Sequence, residues 1–118
     1  MIGCTGSIVA PMNHVRHYLN SNGDDLYQQW VDGLKDRSAK ARITTRINRV
    51  ASGSLGDCKP VGSGVWELRV DYGPGYRVYY AQAGKEVILL LLAGDKRQQR
   101  SDIKAAIDYW HDYQRRKP

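Results

Sequence analysis

The sequence predicts an α+β domain in which two N-terminal helices pack on a mostly antiparallel sheet of three to four strands, followed by a C-terminal helix. Residues 65–72 and 76–81 alternate apolar and polar side chains on either side of a Gly-Pro-Gly turn, as an antiparallel hairpin requires. The apolar run over residues 87–92 fits a strand in the interior of the same sheet. Apolar residues at helical spacing before and after these strands predict the helices.

The N-terminal part of the chain predicts a short strand and a first helix. Residues 14–19 alternate in the manner of a strand. A turn rich in asparagine and glycine follows, after which Asp24 or Asn22 can cap a helix that starts at Asp25. The apolar stripe of this helix consists of Leu26, Trp30 and Leu34.

A second helix is predicted over residues 38–51, with Ser38 as its N-cap and Gly53 as its stop. One face of this helix is apolar, and the opposite face carries the arginine stripe, which consists of Arg42, Arg46 and Arg49. The stripe has two interpretations, a solvated helix face or a surface that binds nucleic acid. Of the two, we favour the solvated face.

The region between the second helix and the hairpin, residues 52–64, is rich in Gly, Ser and Pro and is predicted to be a loop. Within the hairpin, strand alternation puts Arg69, Arg77 and Tyr79 together on the face opposite the large apolar residues. We expect that face to be open to solvent. The last helix is predicted over residues 102–113, with a serine as its N-cap.

Composition indicates a single domain with a polyanionic partner. The chain has 18 Lys and Arg against 12 Asp and Glu, a net charge of +6, which favours nucleic acid or an acidic protein as partner. Cys4 and Cys58, with no signal peptide, predict reduced thiols in a cytoplasmic protein. No metal-ligand spacing and no membrane-spanning run is present, so we expect neither cofactor nor membrane. Residues 1–12 are interpreted as a disordered extension or as sequence before a natural start at Met12.

Three separated segments agree in order and spacing with one known family: WVDGLKD, GDCKPVGSGVWELRVDYGPGYRVYY and GDKRQQRSDIKAA. On these segments the chain resembles the RelE/HigB superfamily of toxins from type II toxin–antitoxin systems, and most closely its Gp49-like HigB branch of addiction-module killer proteins. The resemblance covers roughly residues 27–113, and we expect residues 1–118 to form one RelE-like domain. The resemblance also implies ribosome-dependent cleavage of mRNA, inhibition of translation and growth, and neutralisation by a cognate antitoxin, a HigA-like helix-turn-helix protein.

Metal-independent RNA cleavage needs a base for the ribose 2′-hydroxyl, cations for the phosphoryl charge, and a proton for the leaving 5′-oxygen. By the resemblance, Arg77 in the Gly-Tyr-Arg segment matches the family arginine that contacts the scissile phosphate. Arg69 matches a sheet position that is basic in many members, and Lys96 lies in the basic Gly-Asp-Lys segment. Lys59 lies in the loop before the sheet, where HigB-type members carry basic groups. Either lysine can serve as base or acid if nearby arginines lower its pKa.

Contacts to the RNA around that site are predicted for Tyr72, Tyr79, Arg97 and Arg100. Exposed aromatic rings can stack on bases, and arginines can hold phosphates. The chain departs from relatives that have a catalytic tyrosine or histidine near the start of the last helix, because it has Asp102, Ile103 and Lys104 there. The resemblance therefore assigns no general base.

Alternatives remain for these cations and for the whole chain. Arg69 can pair with Glu67 or Asp71, and Lys96 can simply end a strand. A basic module without nuclease activity, docking an acidic partner or nucleic acid, would show the same charge. A ParE-like inhibitor of DNA gyrase would show similar sequence signals. Defined cleavage sites in cellular mRNA would separate the nuclease from both.

Overall fold

The computed structural model describes residues 13–116, which fold around one five-stranded sheet. In chain order the elements are β1 (His14–His17), α1 (Leu26–Asp32), α2 (Arg37–Ala51), β2 (Cys58–Gly62), β3 (Val65–Val70), β4 (Tyr76–Gly84), β5 (Val87–Asp95) and α3 (Gln99–Arg116). A single 3-10 turn, Lys96–Gln98, leads from β5 into α3. Across the sheet the order is β1-β5-β4-β3-β2, and the β1–β5 pair is the parallel one.

Helices cover both faces of this sheet. On one face, α1 and α2 bury apolar side chains such as Val31 and Ile43 against Leu68 and Val78. On the other face, Ala106 of α3 packs with apolar residues of β3, β4 and β5. Because alternate residues of β3 and β4 point to opposite faces of the sheet, each strand supplies apolar side chains both to the layer of α1 and α2 and to the layer of α3.

The predicted fold class is wrong in its sheet and in its layers. In place of two N-terminal helices on a mostly antiparallel sheet of three to four strands, the chain forms a mixed sheet of five strands between two helical layers. β1 joins the sheet beside β5 rather than beside a sequence neighbour. β2 was hidden in the predicted loop because its sequence, CKPVG, contains Pro60 and a glycine. An edge strand accepts a proline because one of its sides needs no ladder hydrogen bonds.

The helix ends also differ from the prediction. Asp25, not Asp24 or Asn22, caps α1, where its side chain accepts a hydrogen bond from the backbone N–H of Gln28. Asp36, not Ser38, caps α2. In each case an aspartate precedes the first helical residue and satisfies N–H groups that have no partner within the helix. α3 begins at Gln99 rather than at residue 102 and extends to Arg116.

The face expected to be open to solvent lies under α3. Ile103, Ile107 and Trp110 pack against the apolar cluster on that face, and Tyr79 lies inside it with no exposed surface. The prediction of an open face is therefore wrong for Tyr79. The apolar stripe of the last helix needed a covering partner, and this face of the sheet supplies it.

Further expectations from the sequence concern the two cysteines and membrane insertion. Cys58 is disulfide-bonded, so the prediction of a reduced thiol is wrong for this residue. Cys4 and the extension expected over residues 1–12 lie outside the described residues. Within residues 13–116, the helices are too short or too polar to cross a membrane.

Candidate functional site

The candidate site lies at the end of the sheet where β3 turns into β4 and where β5 ends. Strand register puts Arg69 of β3 directly opposite Arg77 of β4, and Arg77 opposite Gly94 of β5. The side chain of Arg69 is 39% exposed and that of Arg77 is 11% exposed. Arg69 is therefore partly open to solvent, whereas Arg77 is nearly buried.

A buried carboxylate holds the two arginines in place. Glu67 is fully buried, with Oε2 3.3 Å from Nε of Arg77 and Oε1 3.7 Å from Nε of Arg69. The hydroxyl of Tyr79 and the side-chain amide of Gln99 donate hydrogen bonds to Oε2, at 3.3 Å and 2.8 Å. Like charges directly opposite each other on neighbouring strands repel, and the carboxylate between them offsets that repulsion. The alternative pairing of Arg69 with Glu67 is thus present in the structure.

A cavity of about 430 Å³ opens beside these arginines. We call it the arginine cavity, and its charged lining residues are Asp57, Arg69, Asp71, Arg77 and Lys96. Its wall includes the β3–β4 turn, in which Gly75 has a φ of +86° and accepts a hydrogen bond from the backbone N–H of Lys96 at 3.0 Å. A Cβ at Gly75 would lie 3.6 Å from Nη1 of Arg77. That distance is an ordinary van der Waals contact, so it is the positive φ of the turn that favours glycine here.

Two carboxylates line this cavity: Asp71, which the sequence offered as an ion-pair partner of Arg69, and Asp57, which the sequence did not single out. Asp57 Oδ1 lies 3.9 Å from Nε of Arg69, and the Asp57 side chain is 65% exposed. The carbonyl oxygen of Asp57 accepts hydrogen bonds from the backbone N–H of Arg69 at 2.9 Å and from Nη2 of Arg46 at 3.2 Å. The position of Asp57 depends on the pairing of β2 with β3, which the sequence did not predict. Among residues 13–116, Arg69 forms ion pairs with Glu67 and Asp57 and not with Asp71.

Three predicted cations lie outside the lining of the arginine cavity. Lys59 is an exposed residue of the edge strand β2, in register with Glu67. Arg97 is 84% exposed and pairs with Asp95 at 2.8 Å. Arg100 is exposed on the first turn of α3. Of the cations predicted for the site, the structure thus brings Arg69, Arg77 and Lys96 together.

The two tyrosines predicted to contact RNA have different surroundings. Tyr79 is buried, and burial followed by the nearby Glu67 carboxylate raises its pKa, so its hydroxyl stays protonated and donates to Glu67. No face of its ring is available to a base. Tyr72 packs on the core from the rim, and the guanidinium carbon of Arg42 lies 4.5 Å from its ring centroid.

Asp102 on α3 lies at the end of β5, next to this region but outside the cavity lining. A Cβ at Gly94 would collide with Oδ2 of Asp102, so the carboxyl group occupies the space that the glycine leaves. Oδ2 is buried and has no hydrogen-bond partner among residues 13–116. Burial, and after it the charge of Asp95, raises the pKa of Asp102 to about 6.

The fold and the cavity define a small basic α+β protein whose candidate site combines two arginines and a lysine with two aspartates. Cations of these types can bind an oxyanion. The chain matches the family described as phage-derived protein Gp49-like (DUF891) over residues 29–108 and belongs to that family. This family is related to toxin–antitoxin systems, which implies an antitoxin partner. Over 80 residues the chain is 45% identical to an uncharacterized protein of Haemophilus influenzae, an alignment that covers 68% of this chain and 81% of that protein.

Proposed function

We propose that this protein is a RelE/HigB-type toxin that cleaves mRNA on the ribosome and so arrests translation and growth. The observation that carries the proposal is the convergence of Arg69, Arg77 and Lys96 in one cavity. Membership of a family related to toxin–antitoxin systems supports the toxin role. The net charge of +6 supports RNA as the substrate class.

Arg77 is the residue we assign to the scissile phosphate. Its Nε edge faces Glu67, which leaves the terminal nitrogens of the guanidinium group to bind phosphate oxygens. Because Glu67 is buried and also bonded by Tyr79 and Gln99, the arginine is held in position before the substrate binds. Donors that are fixed in advance stabilise developing charge without reorganising during the reaction. Arg69 and Lys96 supply the second and third cations.

The proton transfers are assigned to Asp57 and Lys96. Asp57 lies beside Arg69 and takes the proton of the ribose 2′-hydroxyl as that oxygen attacks the neighbouring phosphorus. The bond from phosphorus to the 5′-oxygen breaks, and Lys96 gives that oxygen its proton. The products are a 2′,3′-cyclic phosphate and a free 5′-hydroxyl.

Expression of the chain without an antitoxin, followed by primer extension on cellular mRNA, tests the proposal. We expect growth arrest and defined mRNA cleavage sites, both lost in Arg77→Ala. Arg115→Ala is the matched control because that arginine is exposed near the end of α3 and lies outside the cavity lining. Lys96→Gln is a second loss-of-function variant that leaves the Glu67 contacts intact. If Arg77→Ala and Lys96→Gln both cleave mRNA like the wild type at equal abundance, the assignment is wrong.

The same experiment separates the other functions. Intact mRNA with DNA damage would indicate a ParE-like action on gyrase, and intact mRNA without damage would indicate a binding module. For the partner, we propose a HigA-like antitoxin with a helix-turn-helix domain. Co-expression of the small open reading frame next to this gene should restore growth and yield a complex that copurifies. Failure of every neighbouring small protein to do so would count against this partner.

A further inference from the structure

A second groove continues from the arginine cavity along α2. It has a volume of about 570 Å³ and lies between α2 and the end of β3. We call it the α2 groove, and its arginines are Arg42, Arg46, Arg49 and Arg69. Arg69 lines both this groove and the arginine cavity, as do Asp57 and Asp71. The arginine stripe of α2 is therefore one wall of a groove that leads to the candidate site.

Positive charge exceeds negative charge in the α2 groove, which is lined by four arginines and by the two aspartates Asp57 and Asp71. α2 contains five basic residues and no acidic residue. Among residues 13–116, the stripe arginines Arg42, Arg46 and Arg49 form no salt bridge. Burial, and after it the charge of Arg49, lowers the pKa of Arg46. The groove therefore keeps an excess of positive charge, and a groove of that kind attracts an external polyanion.

Contacts with neighbouring residues also hold the side chains of the arginine stripe in position. Arg42 and Arg49 are seven residues apart and lie on one side of α2, a rise of about 10 Å. Arg42 stacks on Tyr72 and so presents a flat cationic surface, of the kind on which RNA bases stack. Arg46 donates to the carbonyl of Asp57 and packs on Gly56, where a Cβ would lie 2.6 Å from Nη2.

We propose that the α2 groove binds the backbone of the RNA strand whose scissile phosphate enters the arginine cavity. The strand runs along the arginine stripe, passes Arg69 and reaches Arg77. This inference rests on the proposed function and adds the path of the substrate. An acidic protein segment is the other polyanion to consider. RNA is favoured because the groove opens into the arginine cavity and because the Arg42–Tyr72 stack offers a planar surface to a base.

The test is the binding of a labelled single-stranded RNA of about 12 nucleotides, a typical site size, with 2′-O-methyl groups that prevent cleavage. Arg42→Gln with Arg49→Gln removes two exposed cations from the groove. Lys104→Gln with Arg115→Gln removes two exposed cations from α3 and is the matched control. We expect the groove variant to bind roughly tenfold more weakly at low salt, with the slope of log K against log salt reduced by about 1.4. The control should change the slope much less.

Each other outcome overturns the inference. The inference fails if the groove variant binds the RNA as tightly as the control variant does, or if the wild type does not bind the RNA. It also fails if the groove variant keeps its affinity for RNA but no longer binds the antitoxin. The probe cannot be cleaved, and Arg77, Lys96 and Asp57 are intact in every variant. A protein that binds the probe through the groove but leaves cellular mRNA whole would therefore refute only the proposed function. Cleavage of mRNA by a protein whose groove variant binds normally would refute only the groove.

Discussion

The two faces of the sheet are built differently, although the same strands supply both. Under α1 and α2 the face is apolar across β3, β4 and β5, with fully buried residues such as Ile43 and Leu68. Under α3 the apolar cluster stops short of the β3–β4 turn. There the buried carboxylate of Glu67 and the two arginines take its place. The face under α1 and α2 stabilises the fold. On the face under α3, the apolar residues stabilise the fold, and Glu67 and the two arginines form part of the candidate site.

The outer surfaces of the helices show a second contrast. α3 carries four basic and three acidic residues, and Lys104, Arg115 and Arg116 each pair with an aspartate of the same helix. α2 carries its cations without such partners. Surface charge that is only solubilising needs no particular arrangement. A row of arginines that form no salt bridge among residues 13–116, in a groove with more arginines than carboxylates, is better explained by an external anion. This difference between α2 and α3 can be measured.

The largest stability effect is expected on the apolar face. Ile43→Ala should lower the free energy of unfolding by roughly 3 kcal/mol, because it leaves a cavity among fully buried side chains. Ile103→Ala on the half-buried side of α3 should cost about 1 kcal/mol. Urea denaturation of both variants checks the difference. Equal losses of unfolding free energy in the two variants would mean that both helical layers stabilise the fold equally. The two faces of the sheet would then not differ in stability as described above.

Removal of the buried carboxylate should produce the next largest effect. Glu67→Gln keeps the size of the side chain but removes the buried carboxylate between Arg69 and Arg77, which should cost roughly 2 to 3 kcal/mol. Asp71→Asn is the control, because Asp71 is exposed and forms no salt bridge among residues 13–116. Urea denaturation at neutral pH is the measurement. A loss no larger than that of the control would mean that Glu67 does not hold the arginines.

Asp102 gives the α3 face a dependence on pH. Its pKa is raised from 3.8 to about 6 in the folded protein, so the folded state binds the proton more tightly than the unfolded state does. Its contribution to stability is therefore largest below about pH 4, falls as the pH rises to about 6, and is constant above that. As the pH rises from 4 to 8, the free energy of unfolding of Asp102→Asn should gain roughly 1 to 2 kcal/mol relative to that of the wild type. This is less than the ~3 kcal/mol that the shift alone would give, because Asp102 is only half-buried and solvent screens its charge. A difference that does not change with pH would refute the raised pKa.

Much of the apolar architecture could be predicted from the sequence, because period-two and helical patterns are local signals. Leu68, Val70, Tyr76, Val78 and Tyr80 do share a face, as their alternation predicted. The edge strand β2 has no such pattern, since an edge strand can contain Pro60. The parallel pairing of β1 with β5 joins segments far apart in sequence, and no local signal reports it.

The candidate site was predictable only in part, for the same reason. Alternation put Arg69 and Arg77 on one face, but burial by α3 is a tertiary contact that the strand pattern does not contain. Tyr79 was therefore misjudged as exposed. Glu67 looked like an ordinary polar residue of the outer face, whereas the structure buries it between two arginines. Asp57 comes near Arg69 only through the unpredicted strand β2.

The smallest expected effect is a change in the free energy of unfolding that has opposite signs for substitutions on the outer surfaces of α2 and α3. Lys104→Gln removes an i,i+4 partner of Asp108 and should lower the free energy of unfolding by about 0.3 kcal/mol. Arg49→Gln removes a cation beside Arg46, whose pKa Arg49 helps to lower, and relief of that repulsion offsets the lost favourable interaction with the helix C-terminus. Its stability should therefore be unchanged or slightly higher. Paired urea titrations at low salt can resolve the two signs. A clear loss of stability in Arg49→Gln would show that Arg49 is retained for folding, and the α2 groove would then need no ligand to explain it.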